Sequence, residues 1–325
     1  MKKVVYLALA FVLAACGGKQ NDNRNVVRPA FSGDSAYAFV QRQMNMGARV
    51  PDSRAHTECV FYLMQQMEQY GNAMELQLGK KTNYAGQEQQ IYNIIGRFGP
   101  LDKSDRILLC AHYDCRPWSD EEDLYEQRIL PVPGANDGAS GVGVLLEIAR
   151  QLSLMQADSA AVVPPVDIVF FDCEDMGTPS FYTGVQRENT WCLGSQLWAE
   201  RAAENGTNTK YRFGILLDMV GDPEAVFPME YYSQQYAGNY LEKIWRAASA
   251  LGYDRYFIRQ SSYPVIDDHV SVNTLAGIPC VDIVHYDPRG NAGFPVWWHT
   301  QQDDMHHVSA TTLQAVGEVV MACLD

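Results

Sequence analysis

Basic residues are scarce in this sequence. Lys and Arg number 25 against 39 Asp and Glu, a formal charge of −14 at pH 7. An acidic balance of that size argues against a nucleic-acid binder, or a protein that lies on anionic lipid through a basic face. No Cys-x-x-Cys pair occurs among the eight cysteines, which excludes a zinc knuckle and a thioredoxin-like redox motif. No serine or cysteine has a nucleophile-elbow context. There is no internal repeat and no second linker, so one catalytic-size domain is expected. What is present fits that expectation. The chain has 325 residues, 47% hydrophobic and 20% charged, enough for a full core and unlike disordered, collagen-like or small disulfide-stapled chains. Aromatics make up 11%, with 18 Tyr and 6 Trp, more than a core strictly needs, which suggests a ligand-contacting surface.

The N-terminus reads as a targeting segment. Met1-Lys2-Lys3 is a short positive head, and Val4 to Ala15 is apolar and uncharged. At about 12 residues this stretch is too short to cross a bilayer of roughly 30 Å and has the length of a signal h-region. It ends in Leu13-Ala14-Ala15-Cys16-Gly17, which resembles the lipobox of bacterial lipoproteins, whose cysteine carries the lipid and becomes the new N-terminus. The polar, Gly- and Asn-rich residues that follow suit a flexible tether. The expected organisation is a signal segment over 1–16, a tether over 17–32 and one domain over 33–325. The protein is then exported, periplasmic and lipid-anchored through Cys16, its only expected membrane contact. Gly17 carries no retention signal, which favours the outer membrane. The other seven cysteines lie partly inside apolar runs and read as small buried hydrophobes. An oxidising compartment allows a disulfide among them without the sequence choosing a pair.

Hydrophobic spacing predicts helices over 33–48 and 53–70, the second stopping at Gly71. Two strand-like runs follow, Ala73 to Leu78 and Gln90 to Phe98, with a turn at Asn83-Tyr84-Ala85-Gly86. Beyond them, apolar strands at 107–111, 166–171, 213–217 and 279–284 alternate with helical stretches at 138–154, 193–205 and 238–251. A last helix starts at Ser309, with Leu313, Val316, Val320 and Leu324 on one face. Alternating apolar strands and helices indicate an α/β fold with a largely parallel sheet covered on both faces.

Each of the four apolar strands runs into acid or histidine. The first leads to His112-Tyr113-Asp114, the second to Asp172-Cys173-Glu174-Asp175, the third to Asp218 and the fourth to His285-Tyr286-Asp287. Gly134-Ala135-Asn136-Asp137-Gly138 opens the helix between the first two, and Asp267-Asp268-His269 and Trp297-Trp298-His299-Thr300 come later. Ligands in open α/β sheets bind at the carboxyl ends of strands, so these groups should converge. Taken singly, each piece has a plainer explanation: Asp137 as a helix N-cap, Glu174-Asp175 as a solvated loop, His112 as a core histidine. Together, several carboxylates with one or two imidazoles form the donor set of a hydrolytic zinc site with a position open to substrate.

The six ordered motifs HYD (112–114), GANDGASG (134–141), FFDCED (170–175), LLDMVGD (216–222), DDH (267–269) and WWHT (297–300) resemble the zinc-dependent exopeptidase superfamily. Within it they are similar to animal-type glutaminyl-peptide cyclotransferases and their bacterial relatives, from about residue 33 to the C-terminus. The resemblance implies a three-layer αβα sandwich with a central, mostly parallel mixed sheet. It implies one Zn²⁺ per chain held by Asp137, Asp175 and His299, with Glu174 as general acid/base. Asp218 and Asp267 would form a hydrogen-bonded acidic pair behind Glu174, and Trp191 and Trp298 would wall the substrate pocket. Asp175 stands where the animal enzymes have Glu, and Met176 to Thr190 is longer than the corresponding stretch. The implied substrates are peptides and proteins with N-terminal Gln.

That chemistry agrees with the residues. Cyclisation of an N-terminal glutamine is intramolecular: the α-amine attacks the side-chain amide and ammonia leaves, so the enzyme mainly holds a near-attack conformer. A two-zinc aminopeptidase is the rival reading, with a second metal on His112 and Asp218 and with Asp137 bridging. Trp297-Trp298 against His299 and the doubled acid of DDH favour the cyclase, in which His112 is oriented by Asp114. A non-catalytic peptide-binding lipoprotein is the third reading, and it would be favoured by a missing ligand residue. His56 falls on a helix, His306-His307 in a solvated loop, and Met44, Met46, Met64, Met67 and Cys173 read as packing.

Overall fold

The computed structural model describes residues 30–324. Cys16 and most of the expected tether lie outside the described residues. Helices α1 (Gly33–Met44) and α2 (Arg54–Tyr70) open the domain. Each follows a serine, Ser32 or Ser53, whose hydroxyl accepts a first-turn main-chain N–H, and α2 stops at Gly71. Helix α1 ends before the expected 48, ahead of Gly47 with its left-handed φ of 97°. Strands β1 (Ala73–Thr82) and β2 (Glu88–Phe98) form an antiparallel hairpin longer than the apolar runs predicted. The Asn83 side chain accepts the N–H groups of Ala85 and Gln87, and this closes the turn so that polar Lys80–Thr82 still pair.

The elements then run β3 (Arg106–His112), α3 (Tyr125–Arg128), α4 (Ala139–Ala157), β4 (Val166–Phe171), α5 (Leu193–Glu204), β5 (Tyr211–Asp218) and β6 (Phe227–Met229). They close with α6 (Tyr231–Leu251), β7 (Phe257–Ser261), α7 (Asp268–Thr274), β8 (Cys280–Val284) and α8 (Ala310–Met321). The six-stranded sheet has the order β1-β2-β4-β3-β5-β8. From β4 to β8 all neighbours are parallel, and the β1–β2 hairpin is added antiparallel at one edge.

Side chains alternate between two cores, as a sheet covered on both faces requires. Ile107, Leu109 and Ala111 of β3 face the cluster that includes Val40, Leu63, Leu145, Ile244 and Val316 from α1, α2, α4, α6 and α8. Leu108 and Cys110 face Trp198, Ala199 and Val272 from α5 and α7. The result is the expected three-layer αβα sandwich. Leu109, Ile168 and Ile215 are wholly buried at its centre, so truncating any one to Ala would cost about 2–5 kcal/mol.

Three details depart from the sequence reading. Helix α6 starts at Tyr231, not 238, and kinks at Ala237 (φ −132°), beside the Gly238 taken as its start. A two-stranded parallel sheet of β6 and β7 was not expected, because runs this short carry no periodic signal. Leu324 lies past the end of α8 at Met321. All seven cysteines among the described residues are buried free thiols, so the disulfide left open by the sequence does not form.

Candidate metal centre

The site lies at the carboxyl ends of β3, β4 and β5. His112 ends β3 and Asp218 ends β5, while Glu174 and Asp175 follow β4 by a short turn. The loop into α4 supplies Asp137, the start of α7 supplies Asp267, and the segment before α8 supplies His299. Gly138 (φ 85°) and Gly141 let this loop press onto the sheet. A Cβ at Gly138 would meet the Asp114 carbonyl and the His112 ring, and one at Gly141 would collide with the Leu217 carbonyl. Gly138 is the N-cap of α4 and no side chain caps that helix, so Asp137 is not the N-cap. Cys173, Cys192, Met219 and His299 all have φ between 48° and 56°. Left-handed backbone at four non-glycine positions, all at the site, is strain held in place by its surroundings.

Asp137 sits between two imidazoles. Its Oδ1 is 3.1 Å from His112 Nε2, and its Oδ2 is 3.5 Å from His299 Nε2. His299 Nε2 is also 3.1 Å from Asp175 Oδ1, and His112 Nε2 is 3.2 Å from Asp218 Oδ1. One donor atom each from Asp137, Asp175 and His299 gathers within 4.8 Å, and so does one each from His112, Asp137 and Asp218. The first set fits zinc: two carboxylates and an imidazole are among its preferred donors. The buried Asp175 Oδ2 lacks a hydrogen-bond partner, as a group waiting for a cation would. His112 Nδ1 stands 3.5 Å from Asp114 Oδ1, at ion-pair distance but without a hydrogen bond.

Electrostatics at the site follow burial and crowding. Burial pushes the Glu174 carboxyl well above its usual range; His112 opposes this, and Asp175, Asp267 and Asp268 reinforce it. Burial and the Asp218 charge push Asp267 up to about 7. Burial alone would raise Asp137 too, but His112 and His299 hold it well below the carboxylate range. Glu174 Oε1 accepts the Cys192 thiol at 3.1 Å. Asp267 Oδ1 accepts the Asp268 N–H, its buried Oδ2 has no donor, and the Asp218 charge acts on it. Asp218 Oδ1 lies 3.2 Å from His112 Nε2.

A cavity of about 350 Å³ opens onto these groups, lined by Asp137, Glu174, Asp175, Asp218, Asp267 and His299 on one side. Trp191, Pro264, Ile266, Ala292, Phe294 and Trp298 provide the apolar wall. Trp298 stacks on His299 with centroids 3.6 Å apart at 21°, and Trp191 lies parallel to the same ring at 6.2 Å and 4°. The long stretch before Trp191 therefore does not keep it from the pocket. Arg116 escaped the sequence reading. Buried, it pairs with Asp120 through Nε (2.6 Å), donates to the Asp175 carbonyl (3.2 Å) and lies 4.6 Å from the Trp191 ring. A cation two residues after HYD, in an acid-rich region, was the available signal.

Residues 93–324 match peptidase family M28. The chain belongs to that family. Among solved structures of similar fold, the glutaminyl cyclase of Tannerella forsythia is 45% identical, with a TM-score of 0.85 over 91% of this chain and 99% of that one. A Zn-dependent exopeptidase of Parabacteroides distasonis is 42% identical, with a TM-score of 0.85 over 92% of this chain and 99% of that one. An aminopeptidase of Bacillus subtilis is 28% identical over 253 residues, which are 77% of this chain and 46% of that one. The chain spans about half to two thirds of the length of curated relatives it matches. Zinc is the metal implied for this M28 member, and Asp137, Asp175 and His299 suit it.

Proposed function

We propose that this M28 member is a glutaminyl-peptide cyclotransferase, converting N-terminal glutamine of peptides and proteins to pyroglutamate with release of ammonia. The observation that carries the reading is the aromatic wall beside His299: Trp298 stacks on its ring at 3.6 Å and Trp191 lies parallel to it at 6.2 Å, both lining a cavity of about 350 Å³. Such a cavity has room for one side chain and an amine, folded together, and its apolar wall limits water. Limiting water matters because hydrolysis of the amide to glutamate competes with ring closure. The 45% identity to a glutaminyl cyclase supports the same reading.

In this reaction the α-nitrogen bonds to the side-chain amide carbon, Cδ, the bond from that carbon to the amide nitrogen breaks, and ammonia departs. Asp137, Asp175 and His299 would hold one zinc ion per chain, which would supply Lewis-acid polarisation of the side-chain amide carbonyl. Glu174 takes a proton from the attacking amine and delivers it to the leaving ammonia. Its raised pKa, caused chiefly by burial, suits a group that must both accept and donate near neutrality. Asp267 acts on Glu174 through its charge, and Asp218 acts in turn on Asp267. Trp191 and Trp298 hold the glutamine side chain beside the amine, which raises the effective concentration of the two reacting groups.

One observation favours a second reading. Asp137 faces both His112 and His299, so that His112, Asp137 and Asp218 could hold a second ion, as a two-zinc aminopeptidase would need. Activity separates the two. The purified protein should release ammonia from Gln-initiated peptides, and a chelator should abolish this. Hydrolysis of a leucine arylamide with Gln-peptides left uncyclised would establish the aminopeptidase. The sequence supports export and a lipid on Cys16, and we propose a periplasmic, outer-membrane-anchored enzyme. Among the described residues no helix is long and apolar enough to cross a membrane.

A further inference from the structure

The segment carrying Asp137 is held from two sides. Its carbonyl groups meet a cation: the buried Arg49 donates through Nη1 to Pro133 (3.1 Å) and through Nη2 to Gly134, while its Nε donates to the Tyr113 carbonyl (3.0 Å). Its amides meet a carboxyl group. The wholly buried Asp303 accepts the Asn136 N–H at Oδ1 (2.8 Å) and the Asp137 N–H at Oδ2 (3.1 Å), and its own carbonyl accepts the Ala135 N–H (3.2 Å). Three consecutive amides, 135 to 137, thus end on one residue. Asp303 also follows His299 by a single tight turn, its N–H donating to the Thr300 carbonyl at 3.3 Å. One side chain therefore ties the Asp137 segment to the His299 segment.

The same device recurs on the other carboxylate ligand. Asp114, also wholly buried, accepts the Glu174 N–H at Oδ1 (3.0 Å) and the Asp175 N–H at Oδ2 (3.2 Å). In both places a carboxylate spans two successive amides, the second of which belongs to a carboxylate ligand. Two bonds to one planar group fix the orientation of the intervening peptide plane, and with it the direction of the following Cα–Cβ bond. A ligand mounted this way loses little freedom when an ion arrives, whereas a ligand on a loose loop has to be ordered by the ion.

We infer that Asp303 is a positioning residue for the metal centre, setting its zinc affinity by locking the Asp137 peptide relative to His299 as Asp114 locks the Asp175 peptide. The inference concerns the ion alone and holds for either reaction considered above. It is tested without turnover. Wild type, D303N and D303A are titrated with zinc against a chromogenic chelator, and their melting temperatures are measured with and without zinc. In D303N one amide N–H faces an NH₂ group, so one of the two bonds is lost with little change of shape. Zinc should bind D303N ten- to a hundredfold more weakly, and zinc should raise its melting temperature less than it raises that of wild type. D303A should lose at least as much. A loss of less than tenfold in D303N overturns the inference. So does a D303N protein whose zinc-free and zinc-loaded forms are destabilised equally, or one that does not fold, because Asp303 would then serve the fold as a whole.

Discussion

The indole of Trp298 stacks on the imidazole of its chain neighbour His299, with ring centroids 3.6 Å apart and planes 21° from parallel. A metal-ligand candidate is thereby joined to the substrate wall by one peptide bond. His299 itself occupies the left-handed region at φ 54°, which turns its ring back toward Asp137 and Asp175. Removing the indole should therefore affect substrate more than metal. W298A is expected to lower kcat/KM by about two- to tenfold, in keeping with aromatic contacts of about 0.5–1.5 kcal/mol. Zinc content should stay at the wild-type level, and metal analysis beside steady-state kinetics checks both parts.

Glu174 is assigned the proton transfers, and E174Q keeps its size while removing its basicity. The variant should lose about 10²- to 10⁴-fold in kcat, the range spanned by general acid–base catalysis. Its zinc content should match wild type, because Glu174 is not among the three proposed ligands. Full activity in E174Q would overturn the assignment.

Glu230 lies outside the reaction but shapes its wall. Its Oε1 accepts from Tyr232 N and, at 3.1 Å, from Val265 N, while its Oε2 accepts from Ser233 N and lies 3.2 Å from His269 Nε2. Burial would raise its pKa, but His269 and the helix amides hold the carboxyl down at about 2, against 4.5 ordinarily. A depressed folded-state value stabilises the fold at every pH above the unfolded value, and the gain is lost as pH falls from 4.5 toward 2. E230Q should accordingly cost about 3 kcal/mol near neutrality. The gap from wild type should narrow steadily below pH 4.5. Urea unfolding of both proteins over a pH series measures it, and a gap unchanged between pH 7 and pH 3 would contradict the account.

Much of the fold was legible because its signals are local. The run at 107–111 is apolar throughout and that at 166–171 is apolar but for Asp167, as doubly covered strands are; His112 follows the first directly and Glu174 follows the second by a short turn. The site was legible for the same reason: strand ends in a parallel sheet share one edge, so chain order alone brings Asp137, Asp175 and Asp218 together. What stayed hidden depends on distant partners. Asp303 reads as one more acid in a polar run until the fold places it on amides 166 residues away. Arg49 and Arg116 look like surface cations until they are seen wholly buried.

The central claim is that glutamine is cyclised rather than cleaved off, and heavy-oxygen water separates the two outcomes. A Gln-initiated peptide is incubated with the zinc-loaded protein in such water, and the products are weighed by mass spectrometry. Cyclisation forms its new bond within the substrate, so the account predicts a peptide lighter by one ammonia and carrying no solvent oxygen. A free glutamine labelled with heavy oxygen, beside a peptide one residue shorter, would contradict it.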